Sequence, residues 1–304
     1  MTEQLPRCDW TEAIRAGDFE RAWHISDRNL RAYCESGALK HDGERHHQRI
    51  WRGESLEGKR VLVRCYHGLG DTIQFIRFAK PLSEIASEVI VWCQTELIPV
   101  LRNVEGVDSV LPLHDGTPGV TYDVDIEIME LAHALRADSG LISGAVPYLF
   151  RSDRPEHPAS RALLSVGLIW EAGDWDRRRC VPPHLLGLLA SETRASLFSL
   201  QQGPARRVAR SIPAQDIATS DIDSLAGLIQ KLDLIITVDT MVAHLAGALG
   251  APVWTMLHAD CDWRWPAHGR NTLWYPTMKL FHQQSAGDWA GVIEEIIDNL
   301  KQRC

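Results

Sequence analysis

The chain has 304 residues, 45% hydrophobic and 24% charged, and its 32 Lys plus Arg against 40 Asp plus Glu give a formal net charge of −8. That length suits two domains of about 150 residues, and the balance excludes a disordered chain, a collagen or a small disulfide scaffold. An acidic chain is a poor match for a nucleic-acid backbone, no apolar run approaches the roughly 18 residues of a membrane span, and the opening MTEQLPRCDWTEAIRAGDFE has no apolar stretch of a secretory signal.

The cysteines, at 8, 34, 65, 93, 180, 261 and 304, form no CxxC pair, which points to free thiols in the cytoplasm. Trp254, Trp263, Trp265, Trp274 and Trp289 crowd the last fifth of the chain and read as core more readily than as a stacking surface.

Residues 9–35 read as two short helices broken at Gly17-Asp18, with Ala13, Ile14, Ala22, Trp23, Ile25 and Leu30 at helical spacing. The piece AIRAGDFERAW resembles the turn of a tetratricopeptide repeat, but no second copy follows. A lone pair cannot bury its own face, so it is expected to pack on the next domain. HDGERHHQR at 41–49 reads as a solvated linker, because its three histidines lack acidic or cysteine ligands at a metal-binding spacing.

From residue 60, short apolar runs alternate with helical stretches. Strands are predicted at 61–65, 89–93 and 122–128, and helices at 72–87 and 95–103. RSDRPEHPAS at 151–160, polar and holding two prolines, marks a boundary. A second series follows, with strands at 166–170, 196–200, 234–238 and 253–256 and helices near 183–191, 223–231 and 241–249. The stretch 287–300 closes the chain as an amphipathic helix carrying Trp289, Val292, Ile293, Ile296, Ile297 and Leu300 on one side. Two β-α-β series imply two α/β halves, each with a mostly parallel sheet.

Three loops carry polar groups that suit chemistry. Gly68-x-Gly70 follows the first strand without the third glycine of a dinucleotide fingerprint or the Lys-Ser/Thr of a P-loop. Asp71 behind it is either a helix cap or a carboxylate placed at the ligand-binding edge of a parallel sheet, where it suits a general base. Asp239-Thr240-Met241-Val242-Ala243-His244 follows the strand 234–238. Its helix start at Thr240 has free N–H groups for an anion, and His244 projects one turn on. The bland reading is a capping Asp and a core histidine. Arg177, Arg178 and Arg179, after the strand 166–170, suit a diphosphate or form a solvated basic loop.

Taken together, these residues resemble the glycosyltransferase family that contains the ADP-heptose:lipopolysaccharide heptosyltransferases, in particular its tetratricopeptide-associated bacterial members. The likeness rests on HGLGDTIQFIRFAKPL at 67–82, LDLIITVDTMVAHLAGALGAPVW at 232–254, DWRW at 262–265, WYPTMKLF at 274–281 and GDW at 287–289. It implies a GT-B fold, two Rossmann-like α/β domains facing each other across a cleft. The division is then a helical arm and linker over 1–50, an acceptor domain over 51–155 and a nucleotide-sugar domain over 156–285. A last helix over 286–304 would pack back on the first domain.

The resemblance also implies roles. Asp71 matches the catalytic base. Gly68, Gly70, Arg177, Arg178, Arg179, Gln201, Asp221, Ile222, Asp239, Thr240, Met241 and His244 match donor-binding positions, with Gln201 near the ribose and Asp221 and Ile222 beside the base. The implied activity is inverting, metal-independent sugar transfer from a nucleoside-diphosphate-sugar, ADP-heptose-like, to a hydroxyl on a glycan, lipopolysaccharide or protein. No cofactor and no metal are expected, and any peripheral membrane or protein contact falls to the helical arm. The rivals are a non-catalytic partner-binding module with a vestigial cleft and a metal-dependent GT-A transferase. The latter would use one of the DxD strings at 123–125, 174–176, 221–223 or 260–262.

Overall fold

The computed structural model describes residues 7–36, 50–150, 163–173 and 176–303. The expected linker at 41–49 with its histidines, the boundary at 151–160, and Asp174 and Trp175 lie outside them. The chain divides into two compact units. Unit 1 is Met1–Phe150 with Trp263–Pro266, and unit 2 is Arg151–Asp262 with Ala267–Cys304.

Unit 1 begins with two helices, α1 (Arg7–Ala16) and α2 (Phe19–Glu35). Gly17 adopts φ 73° between them, and Asp18 caps α2 by accepting from the Arg21 amide. The pair is fastened to the rest of the unit. Trp23 Nε1 donates to the Ala137 carbonyl at 2.8 Å, and the Asp27 carboxylate meets His133 Nε2 at 2.9 Å and Arg136 at 2.7 Å.

The α/β part of unit 1 runs β1 (Arg60–Arg64), α3 (Leu69–Phe75), α4 (Ala79–Ser83), β2 (Glu88–Cys93), α5 (Ile98–Leu101), β3 (Ser109–Pro112), β4 (Val124–Glu127), α6 (Leu131–Ala134) and α7 (Ser139–Gly144). The strands form one parallel sheet in the order β3-β2-β1-β4. Val61, Leu62 and Val63 are fully buried, as the β-branched run predicts. The helix expected over 72–87 is broken instead into α3, a 3-10 turn at Ile76–Phe78, and α4. Pro81 has no N–H to give the Arg77 carbonyl. Arg77 is itself buried, donating to the carbonyls of Gln74 and Ile142 and to the Tyr148 hydroxyl.

Unit 2 runs β5 (Ser165–Ile169), α8 (Pro183–Glu192), β6 (Ser196–Ser199), β7 (Gln215–Asp216), α9 (Ile222–Lys231), β8 (Leu234–Val238), α10 (Met241–Ala248), β9 (Val253–Leu257), β10 (Met278–His282) and α11 (Trp289–Lys301). Its parallel sheet has the order β10-β9-β8-β5-β6-β7. The last helix differs from expectation. Its apolar face (Trp289, Val292, Ile293, Ile296, Ile297 and Leu300) is buried in the core of unit 2 with Leu186 and Leu189 of α8. A stripe this wide closes a core wherever apolar surface is nearest.

In each sheet the strand order reverses once, between β1 and β4 in unit 1 and between β5 and β8 in unit 2. Loops leaving the carboxyl ends of such strand pairs diverge and leave a crevice for ligands. Asp71 follows β1, the three arginines follow β5, and Thr240 follows β8.

Candidate functional site

In unit 1, Gly68 is the N-cap of α3 and Asp71 sits three residues on. Asp71 Oδ2 accepts from the Gly68 amide at 2.9 Å, so Asp71 is a cap. Gly68 has φ −65°, so the glycine is not required for a left-handed turn. A Cβ there would stand 3.2 Å from Asp71 Oδ2, so close approach of the carboxylate favours glycine. Asp71 also has a second engagement. Arg264, in the Trp263–Pro266 piece of unit 1, pairs through Nη2 with Asp71 Oδ1 and donates from Nε to Gln74 Oε1 at 2.6 Å. Its guanidinium lies 4.3 Å from the Trp263 ring.

A second carboxyl stands at the same sheet edge. Glu127 ends β4 and is 6% exposed, with Oε1 buried and lacking a hydrogen-bond partner. His67 Nε2 is 3.8 Å away. Burial, with Glu130 and Asp71 nearby, pushes the Glu127 carboxyl well above the usual range, against hydrogen bonds from the Tyr66 and Ile128 amides.

In unit 2, Thr240 caps α10, its Oγ1 accepting from the Val242 amide at 3.2 Å. Thr240 and Met241 open the helix, where backbone amides find no acceptor within it. Arg179 reaches this place. Its Nη1 is 3.3 Å from the Asp239 carbonyl and 3.7 Å from Asp239 Oδ2, and its Nε is buried without a hydrogen-bond partner. Arg178 goes elsewhere. It makes a two-pronged pair with Asp176, at 3.0 and 2.8 Å, and bonds Asp260 at 3.0 Å. Arg178 hydrogen bonding draws the Asp176 carboxyl down to about 2. Arg177 pairs with Glu171 at 2.6 Å and is largely exposed.

Of the remaining expected donor residues, those of unit 2 are occupied within that unit. Gln201 is 4% exposed, and its amide accepts from the Trp170 and Glu171 amides and donates to the Glu171 and Gln202 carbonyls. Asp221 caps α9 through the Ser224 amide, and Ile222 is buried. His244 is buried, with Nδ1 2.9 Å from the Tyr275 hydroxyl. Gly68 and Gly70 lie beside Asp71 in unit 1. Of the DxD strings, Asp123 pairs with Arg60 and Asp125 with Arg64.

Four further residues at these edges are not among those the motifs single out. Arg264 belongs to the DWRW string at 262–265, which assigns it no role. Glu127 ended a predicted strand, and His67 opened the glycine loop. His258 directly follows β9; it is 5% exposed and 3.7 Å from Asp176, and burial followed by the Arg178 charge lowers its pKa. Position at the carboxyl end of a parallel strand was the signal that could have found the last three.

Residues 204–277 match the family model described as glycosyltransferase family 9 (heptosyltransferase). The chain resembles glycosyltransferase family 9. It is 21% identical to Protein FlbA of Caulobacter vibrioides over 83% of its length, and spans about half of that relative (48%). Among solved structures it is similar to a glycosyl transferase family 9 protein from Veillonella parvula (TM-score 0.60, 12% identity), covering 82% of this chain and 98% of that one. It is also similar to the E. coli ADP-heptose lps heptosyltransferase II (TM-score 0.57, 15% identity), covering 80% of this chain and 99% of that one. At these identities the structural likeness establishes the fold, a mixed α/β architecture with parallel sheets. No helix among the described residues is long and apolar enough to cross a membrane.

Proposed function

We propose that this chain is an inverting glycosyltransferase that moves a sugar from a nucleoside diphosphate, ADP-heptose-like, to an acceptor hydroxyl. The observation that carries the donor half is Arg179, whose buried Nε lacks a partner beside the open amides at the start of α10. The family 9 match over 204–277 covers that helix.

In this reading Asp71 removes the proton from the acceptor hydroxyl as its oxygen attacks the anomeric carbon from the face opposite the leaving group. The bond from that carbon to the diphosphate breaks, and its electron pair leaves on the phosphate oxygen. Arg179, Thr240 Oγ1 and the amides of Thr240 and Met241 meet the developing negative charge. His244 supports α10 through Tyr275 rather than touching phosphate. Asp239 holds Arg179. The acceptor is a hydroxyl of a glycan, lipopolysaccharide or protein.

The test is turnover of ADP-heptose, with ADP release as the readout, before and after exhaustive chelation. Release that survives chelation supports the mechanism. Loss restored by Mn²⁺ or Mg²⁺ overturns the metal-independent form, and failure to bind any nucleoside-diphosphate-sugar favours the partner-binding alternative.

A further inference from the structure

We propose that the N-terminal helix pair is a positioning element for Asp71, acting through Trp10, which backs Trp263 and so holds Arg264 against Asp71 and Gln74. The catalytic part of this inference rests on the proposed role of Asp71; the mechanical part does not.

Arg264 is 8% exposed. Holding an arginine in one rotamer opposes its side-chain entropy. The surroundings that hold it are aromatic. The guanidinium lies 4.3 Å from the Trp263 ring and 5.9 Å from the Phe75 ring, while its N–H groups meet Asp71 and Gln74. Trp263 is therefore one wall of the slot. It belongs to a four-residue piece that groups with unit 1 although its chain neighbours on both sides group with unit 2. So short a piece has no secondary structure of its own to fix it.

Trp10 of α1 supplies the support. Its ring meets Trp263 edge-on with centroids 5.0 Å apart, and Phe75 meets Trp263 at 6.3 Å. Trp10 is itself fixed, its Nε1 donating to Ser26 Oγ at 3.0 Å. Ser26 sits on α2, which is anchored through the neighbouring Asp27 to His133 and Arg136. A continuous set of contacts thus runs from the helix pair to the carboxylate that the mechanism uses. Helices serving only to cover a core have no need to reach this piece.

The experiment uses the full chain, with Trp10→Ala, Trp10→Phe and Ser26→Ala variants. NMR follows the Arg264 Nε–H, assigned by its disappearance in Arg264→Lys. In the wild type this proton, donated to Gln74, exchanges slowly. In Trp10→Ala it exchanges at least about tenfold faster, because the slot opens locally, and Trp10→Phe restores protection. Should Trp10→Ala fail to fold, Ser26→Ala carries the test by the same measure. Turnover of ADP-heptose is measured alongside. A misplacement of about 1 Å costs up to about 10²-fold, so kcat falls by about 10- to 100-fold in Trp10→Ala while donor KM stays constant. Wild-type exchange in Trp10→Ala, or in Ser26→Ala where the first does not fold, overturns the positioning role. Faster exchange with wild-type kcat overturns the link to catalysis alone. Wild-type protein inactive on every nucleotide-sugar would count against the transferase reading, while the exchange data still decide the clamp.

Discussion

Asp71 and Arg264, 193 residues apart in the chain, form an ion pair inside unit 1. The pair gives Asp71 a fixed orientation that capping alone would not, since the cap engages Oδ2 and the arginine engages Oδ1.

Asp71→Asn separates the two roles. The amide oxygen still accepts from Gly68, but Arg264 loses its counter-charge in a buried slot. Stability falls by about 1–3 kcal/mol, and transfer falls by about 10²–10⁴-fold with donor affinity unchanged. Urea unfolding and product formation check the two parts. Wild-type transfer would limit Asp71 to capping α3 and pairing with Arg264.

The arginines after β5 are expected to differ. Arg179→Ala removes the group at the start of α10, and loss of a charge-assisted bond of about 1.5–3 kcal/mol weakens nucleoside-diphosphate binding by about 10- to 150-fold. Arg178→Ala breaks an exposed pair with Asp176 and Asp260 and leaves binding within about threefold. Calorimetry with ADP distinguishes them. Equal losses would mean that Arg178 also contacts the phosphates.

Glu127 predicts a pH dependence. In the unfolded chain the carboxyl has its ordinary value of 4.5, whereas burial holds the folded one well above it. Below the ordinary value both states are protonated and the group is neutral to stability. As pH rises past it, only the unfolded state releases the proton, so stability falls with pH. Glu127→Gln removes this contribution, and its advantage over wild type widens from pH 4 to pH 8 in urea titrations. Parallel curves would mean that Glu127 ionises freely in the folded protein.

Gly247 probes the support behind α10. A Cβ there would clash with Tyr275 Cδ1, on a fully buried ring that also meets His244. Gly247→Ala gains up to about 1 kcal/mol of helix propensity but overpacks by about 1–3 kcal/mol. The expected result is a lower Tm together with weaker ADP binding. An unchanged Tm would show that Tyr275 swings aside without cost.

The alternation of strands and helices is legible from residue type alone, because buried parallel strands demand short β-branched runs and helices demand a periodic apolar face. Val61 to Val63, Leu234 to Val238 and the face of α11 were legible for that reason. Asp71 and Thr240 were legible as well, since a polar residue just past a strand falls at a helix start. What those residues touch depends on packing between elements distant in the chain. Pro81 and buried Arg77 broke a helix that periodicity ran straight through. Tyr275 claimed His244, the Trp170 and Glu171 amides claimed Gln201, and acids claimed Arg177 and Arg178, leaving Arg179 at the helix start. Arg264 reached Asp71 only through folding, because local periodicity carries no information about a partner 193 residues away. Burial of Glu127 is likewise a property of the packed edge, where neighbouring strands and loops exclude the water that would otherwise ionise it.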